Sequence, residues 1–82
     1  MQIRPINELV KKQLAKWKLS RKFEKQIRIF EVDPSHTSLN TEKLEPKSVG
    51  LYSFRIDKKY RAMFRIRDGI AEIVHITKHY QQ

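Results

Sequence analysis

The stretch that decides the fold reads Leu51-Tyr52-Ser53-Phe54-Arg55-Ile56, a short polar break, Tyr60-Arg61-Ala62-Met63-Phe64-Arg65-Ile66, then Asp68-Gly69 and Ile70 to Thr77. Successive side chains of a strand point to opposite faces, so a period of two marks a sheet with one dry face. Tyr52, Phe54 and Ile56 alternate with Leu51, Ser53 and Arg55, while Tyr60, Ala62, Phe64 and Ile66 alternate with Arg61, Met63 and Arg65. A hairpin of these two runs has one aromatic and aliphatic face and one face bearing three arginines. Asp68-Gly69 predicts a tight turn, because both residues tolerate the left-handed backbone it demands. Ile70 to Thr77 is then the third strand of an antiparallel meander. Its pattern leaves the inward face open, since Glu72 shares parity with Ile70, Val74 and Ile76.

Toward the N-terminus the period changes. Met1 to Ile6 alternates like a short edge strand, and Pro5, with no N–H to give, ends its pairing. Ile6, Leu9, Val10, Leu14 and Trp17 recur at helical spacing around Asn7, a residue suited to cap the first turn. Ser20 is the expected cap of a second helix, whose Phe23, Ile27 and Phe30 share a face while Lys22, Lys25 and Arg28 lie away from it. Asp33-Pro34 ends that helix, because the residue before a proline is pushed out of the helical conformation. In the lead-in that follows, Thr37 to Leu44 reads as a strand or as an extended segment. The helical hairpin needs a partner for its apolar stripe, and the dry face of the sheet supplies one. The expected fold class is α+β, an N-terminal helical hairpin packed on a small curved antiparallel sheet, with residues 1–82 forming one domain.

A chain of 82 residues has room for a single core. It contains no cysteine, so neither disulfides nor a thiolate zinc site supplements that core. His36, His75 and His79 lack the spacing of a ligand pair, and neither metal nor cofactor is expected. No stretch approaches the roughly 20 apolar residues needed to cross a bilayer, and MQIRPINELVKKQ lacks the apolar segment of a secretory signal. A cytoplasmic protein without membrane contacts is expected. Lys and Arg number 18 against 9 Asp and Glu, for a formal charge of +9. Residues 1–30 hold nine basic residues and two acids, residues 31–82 nine and seven, so the helices carry most of the excess. A Lys-rich helix taken alone is most simply a solvated face, but at this net charge a polyanion is the natural partner.

Taken in order, the segments DPSHTSLNTEKLEP, GLYSFRI, KYRAMF, DG and ITKHY resemble the RelE/ParE superfamily of bacterial type II toxins. Within it they are most similar to the YoeB-like and RelE-like ribosome-dependent mRNA endonucleases. The resemblance spans residues 33–80, residues 1–32 follow it in architecture alone, and Thr37 stands where the family pattern has proline. It implies a RelE-like, microbial-RNase-type fold. It also implies Glu42, two residues before Leu44, as general base, with Arg61 opening one strand and Arg55 closing the strand before it. His79-Tyr80 matches the terminal pair of the family's site. His36 is the second choice of base, because some members use a histidine there. The resemblance further implies a cognate antitoxin with an acidic or amphipathic segment, contact with the ribosome and mRNA, and operator DNA binding only through the toxin–antitoxin complex.

Cutting RNA without a metal requires the 2′-OH to attack its adjacent phosphate. A base must take the proton, cations must hold the phosphoryl oxygens, and an acid must protonate the 5′ oxygen. Glu42, the pair Arg61 and Arg55, and His79 fit these tasks in turn, the arginines through planar paired donors. Tyr80 stacks on a base or orients the leaving group. Arg65 extends the arginine face, and Lys22 and Lys25 supply RNA phosphate contacts from the second helix. Each residue also has a plainer role. Glu42 can be an ion-paired surface carboxylate, the arginines can solubilise a face, His79 can be a tail residue and Tyr80 an edge aromatic. His75, on a strand with Ile73, reads as structural. The expected function is that of a type II toxin acting as a ribosome-dependent endoribonuclease. One alternative is a ParE-like, non-nucleolytic toxin acting on a protein such as DNA gyrase, against which the joint presence of Glu42, Arg61 and His79-Tyr80 weighs. The other is a non-catalytic nucleic-acid-binding module, which binds without making products.

Overall fold

The computed structural model describes residues 1–78. Asn7 opens helix α1 (Glu8–Lys16) as its position predicts, its Oδ1 accepting from the Val10 N–H at 2.8 Å. That bond satisfies one of the donors every helix start leaves free. Val10 and Leu14 are buried, whereas Leu9, grouped with them by spacing, is 53 % exposed. At α1's other end the Leu19 N–H reaches the Leu14 carbonyl at 2.8 Å and the Lys18 N–H the Ala15 carbonyl at 3.2 Å, with Lys18 at φ 54°. This is a Schellman turn closed by lysine instead of glycine. It drops Leu19 into the core and starts α2 (Ser20–Val32) at once. The expected Ser20 cap is therefore not made: Ser20 is already helical, and Leu19 holds the cap position without a side-chain bond. α2 buries Phe23, Gln26 and Phe30 and stops at Asp33, before Pro34.

Among the described residues five strands form one sheet in the order β1-β5-β4-β3-β2: β1 (Gln2–Ile3), β2 (Glu42–Lys43), β3 (Leu51–Arg55), β4 (Tyr60–Arg67) and β5 (Ile70–Lys78). The sheet is mixed, which corrects the antiparallel expectation: β1 runs parallel to β5, and every other pair is antiparallel. Parallel neighbours need a long connection between them, and the helical hairpin with β2 to β4 provides it. β1 pairs only with Ile70 and Ala71. Farther along that edge of β5, the Gln13 side chain accepts from the Ile76 N–H at 2.8 Å and donates to the Ile76 carbonyl at 3.2 Å. The lead-in is neither wholly strand nor wholly extended, since a single helical turn, Thr37–Leu39, precedes β2.

Asp68 and Gly69 take φ values of 54° and 75°, the backbone of a type I′ hairpin turn. Along β5, Met63 faces His75 while the next residue, Phe64, faces Ile73, leaving Val74 as an inserted residue. Such a bulge reverses the parity of a strand. Ile76 points inward on one side of it and Ile73 and Ala71 on the other, and Glu72 turns away from the helices. The core lies between the helices and the sheet, with Phe30, Phe54, Leu39, Ile76 and Val10 fully buried. Phe30 sits 5.2 Å from Phe54 and 5.0 Å, edge-on, from Phe64. Truncating such a ring to alanine costs about 3–5 kcal/mol, a large share of the ~5–15 kcal/mol that holds a domain together. Among the described residues no helix is long and apolar enough to cross a membrane.

Candidate functional site

Tyr52, Phe54 and Phe64 stack toward the helices, so Ser53, Arg55, Arg61 and Met63 lie on the opposite face. Arg55 stands opposite Arg61, Ser53 opposite Met63, and Glu42 on β2 opposite Ser53. Pattern alone puts the Arg61 guanidinium on an open surface, yet the residue is only 4 % exposed. Its side chain reaches back from β4 across β3. Nε donates to the Ser53 hydroxyl at 2.8 Å, and Nη2 donates to the Ser53 carbonyl at 3.1 Å and to the Asn40 carbonyl. Three of the five guanidinium N–H groups are engaged in this way. The two on Nη1 take no part in these bonds. Glu42 Oε2 lies 4.0 Å from Nη2, with the Glu42 side chain about half exposed. Burial pulls Arg61 below its ordinary pKa, Glu42 opposes that shift, and Arg55 adds to it. An arginine so shifted still carries its charge at neutral pH.

The frame around Arg61 is set from α2. Gln26, buried among phenylalanines, donates through Nε2 to the Arg55 carbonyl at 2.7 Å and the Ser38 carbonyl at 3.2 Å. One amide thus ties the end of β3 and the turn before Asn40 to the helix. Asn40 follows that turn at φ 42°, which aims its carbonyl at Arg61.

Arg65 does not join the Arg55–Arg61 pair. Its Nε donates to Glu72 Oε1 at 2.6 Å, directly across the β4–β5 ladder. That bond holds the Glu72 carboxyl below its usual range against a smaller effect of burial, and Arg67 and Arg4 add to it. Lys22 and Lys25 belong to α2, on the other side of the sheet. Lys22 Nζ pairs with Asp57 Oδ2 at 2.9 Å, and Lys25 lines a shallow groove with Arg21, Glu24 and Arg28. His36 caps the turn that follows it, its Nδ1 accepting from the Ser38 N–H at 3.1 Å, and it sits beside Val32 and Asp33 instead of Arg61. His79 and Tyr80 lie outside the described residues.

Comparison with protein-family models and with curated proteins gives no match. Solved structures do match over nearly the whole chain. A YoeB/ParE toxin from Agrobacterium tumefaciens is similar at TM-score 0.73 and 19 % identity, covering 98 % of this chain and 100 % of that one. The YoeB–YefM toxin–antitoxin complex from Staphylococcus aureus gives 0.71, 17 %, 98 % and 98 %. The DinJ–YafQ toxin–antitoxin complex from E. coli gives 0.71, 12 %, 95 % and 91 %. This is the RelE/ParE toxin fold. The likeness extends to residues 1–32, where the sequence resembles the superfamily in architecture alone.

Within the RelE/ParE toxin fold, three residues that sequence reasoning missed organise the candidate site: Gln26, Asn40 and Ser53. Only Gln26 left a trace, as a polar residue three positions after Phe23 inside an apolar stripe. His75, which reads as structural in sequence, stands opposite Met63 in the row that also holds Ser53 and Glu42. Its neighbour Ile76 is buried, so His75 faces away from the helices.

Proposed function

We propose that this protein is the toxin of a type II toxin–antitoxin pair, a cytoplasmic endoribonuclease that cuts mRNA on the ribosome without a metal. The observation that carries the reading is a buried cation, Arg61, held beside the accessible carboxylate of Glu42 and opposite Arg55. In the proposed reaction Glu42 takes the proton of the 2′-OH as that oxygen attacks the adjacent phosphorus. Arg61 is already desolvated and fixed by Ser53 and Asn40, so it needs no reordering to meet the charge that grows on the phosphoryl oxygens. Its Nη1 edge is the part directed to phosphate. Arg55, more exposed, completes the clamp, and His79 protonates the departing 5′ oxygen while Tyr80 supports the base or the leaving group. Arg65, Lys22 and Lys25 contribute to RNA binding through charge, on separate surfaces.

The proposed protein partner is a cognate antitoxin with an acidic or amphipathic segment, operator DNA being bound only by the complex. The +9 charge suits such a segment, and two proteins of this fold are found in complexes with YefM and DinJ. Mapping of mRNA ends on purified translating ribosomes tests the activity. Cuts carrying 2′,3′-cyclic phosphate ends are expected, and they should disappear in Glu42→Gln. An intact message at saturating protein overturns the endonuclease reading, and inhibition of gyrase by the same preparation would replace it with the ParE-like one.

A further inference from the structure

At the end of the sheet where β3 turns into β4, a groove of about 530 Å³ opens on the helix side. Its floor is aromatic. Trp17, at the end of α1, packs on Tyr60 of β4 with ring centroids 5.1 Å apart and planes 31° from parallel. Both rings keep part of their surface in solvent. The walls are cationic: Lys18 and Lys22 stand on one side and Lys58 and Lys59 on the other. Lys16 and Lys78 bring ammonium groups to 5.9 Å from the Trp17 ring centre, within cation–π range. The one acid among the described lining residues, Asp57, is already committed. Lys22 bonds one carboxylate oxygen, and the N–H groups of Lys59 and Tyr60 bond the other at 2.8 and 2.9 Å. Burial pushes its pKa up, but these donors outweigh it and the carboxyl ends below its ordinary value. Asp57 therefore holds the turn in shape, and among the described lining residues no other carboxylate faces the remaining lysines.

The groove adjoins the candidate site through the backbone. Tyr60 and Arg61 are consecutive and point to opposite faces of β4, and the turn 56–59 follows Arg55 directly. A strand leaving the Arg55–Arg61 pair has only this lysine-bearing turn to round before it meets Trp17 and Tyr60. A ring of cations around paired aromatics, at the exit of a phosphate-binding face, matches single-stranded nucleic acid better than an acidic peptide. Phosphates meet the lysines while a base lies against the rings.

We propose that the Trp17–Tyr60 groove is a second RNA subsite, taking the single-stranded flank of the RNA held at Arg55 and Arg61. It rests on the reading that the protein binds RNA there. Trp17 is the chain's single tryptophan, so its emission reports this groove alone. The test titrates the full-length protein with a short 2′-O-methyl RNA oligonucleotide, which lacks the attacking hydroxyl, with binding followed in parallel by anisotropy of the labelled RNA. A saturable change in Trp17 emission is expected. Lys58→Ala/Lys59→Ala, at two exposed turn positions, should weaken affinity about tenfold at low salt and flatten the salt dependence, each lost phosphate contact removing ~0.7 from the slope. RNA that binds without altering Trp17 emission overturns the inference. So does an equal emission change with inorganic polyphosphate or with polyglutamate, because charge alone then fills the groove. Ribosomal cleavage is scored separately: cutting with a silent Trp17 sinks the groove alone, and a full Trp17 response without cutting sinks the endonuclease reading alone.

Discussion

Arg55 and Arg61 stand directly opposite each other across the β3–β4 ladder, with Arg61 buried. Like charges facing across a sheet typically cost about 0.2–1 kcal/mol. Arg55→Met keeps the apolar stem and removes the repulsion, so it should raise the urea midpoint by an amount of that order. The same change should weaken RNA binding and ribosomal cleavage. A variant that is less stable than the parent and binds RNA equally well would show that the pair is not an anion site.

Arg61 carries a mixed burden of fold and chemistry. Arg61→Ala leaves the Ser53 hydroxyl and the Ser53 and Asn40 carbonyls without their donor. Unpaired buried groups cost roughly 1–3 kcal/mol each, and water can reach the exposed Asn40, so the two Ser53 acceptors give an expected loss of stability of about 2–6 kcal/mol beside the loss of cleavage. Arg61→Lys keeps the charge as a point and forfeits the planar fork. It should recover part of the stability and still cut at least tenfold more slowly than the parent. Urea melts and ribosomal cleavage measured on the same samples separate the two effects, and parental cleavage by the lysine variant removes Arg61 from the site.

Glu72 gives the fold an acid dependence. Arg65 depresses its pKa from an ordinary value near 4.5, so below that pH the unfolded chain binds this proton more readily than the folded one. The stabilisation is complete above about pH 4.5 and fades as pH falls through the folded value. Glu72→Gln should flatten melting temperature against pH in that acid window and leave the neutral profile's shape unchanged. An identical acid limb in parent and variant would exclude this contribution.

Among the described residues the core runs from Val10 to Ile76. His79→Ala is expected to melt with the parent while cleavage drops by ~10²–10⁴-fold, the usual worth of a proton donor. Lowering the pH should not restore it, since the donor is missing instead of mis-titrated. Tyr80→Ala is expected to reduce cleavage with the same unchanged melt. If either variant cuts like the parent, that residue leaves the proposed site.

Elements whose cause is local were legible in the sequence. Asn7, Asp68-Gly69 and the alternation of β3 and β4 each follow from a few neighbouring residues and hold in the structure, except that Ile66, near the end of β4, is 45 % exposed instead of dry. β5 was ambiguous because the bulge at Val74 switches its inward parity midway, and a single alternation cannot describe it. Ser20 misled because Lys18 takes a left-handed backbone that shifts the helix start by one residue. The burial of Arg61 was hidden for another reason. It depends on Ser53, eight residues away, and on Asn40, twenty-one away, brought near only by sheet register and by Gln26. The roles proposed for Glu42, Arg55, Arg61, His79 and Tyr80 rest on the resemblance of these segments to the superfamily.

The paired bonds between Gln13 and Ile76 bear on how this chain keeps to itself. An unpaired sheet margin invites a strand from another molecule, and β1 guards only the first two residues of β5. The Gln13 amide offers one donor and one acceptor, as a peptide unit does, and spends both on Ile76. A single side chain thereby impersonates a neighbouring strand. An intruding chain must first evict it from a helix that is itself anchored by Val10 and Leu14, so protection against fibre-like self-pairing is built into the packing of α1.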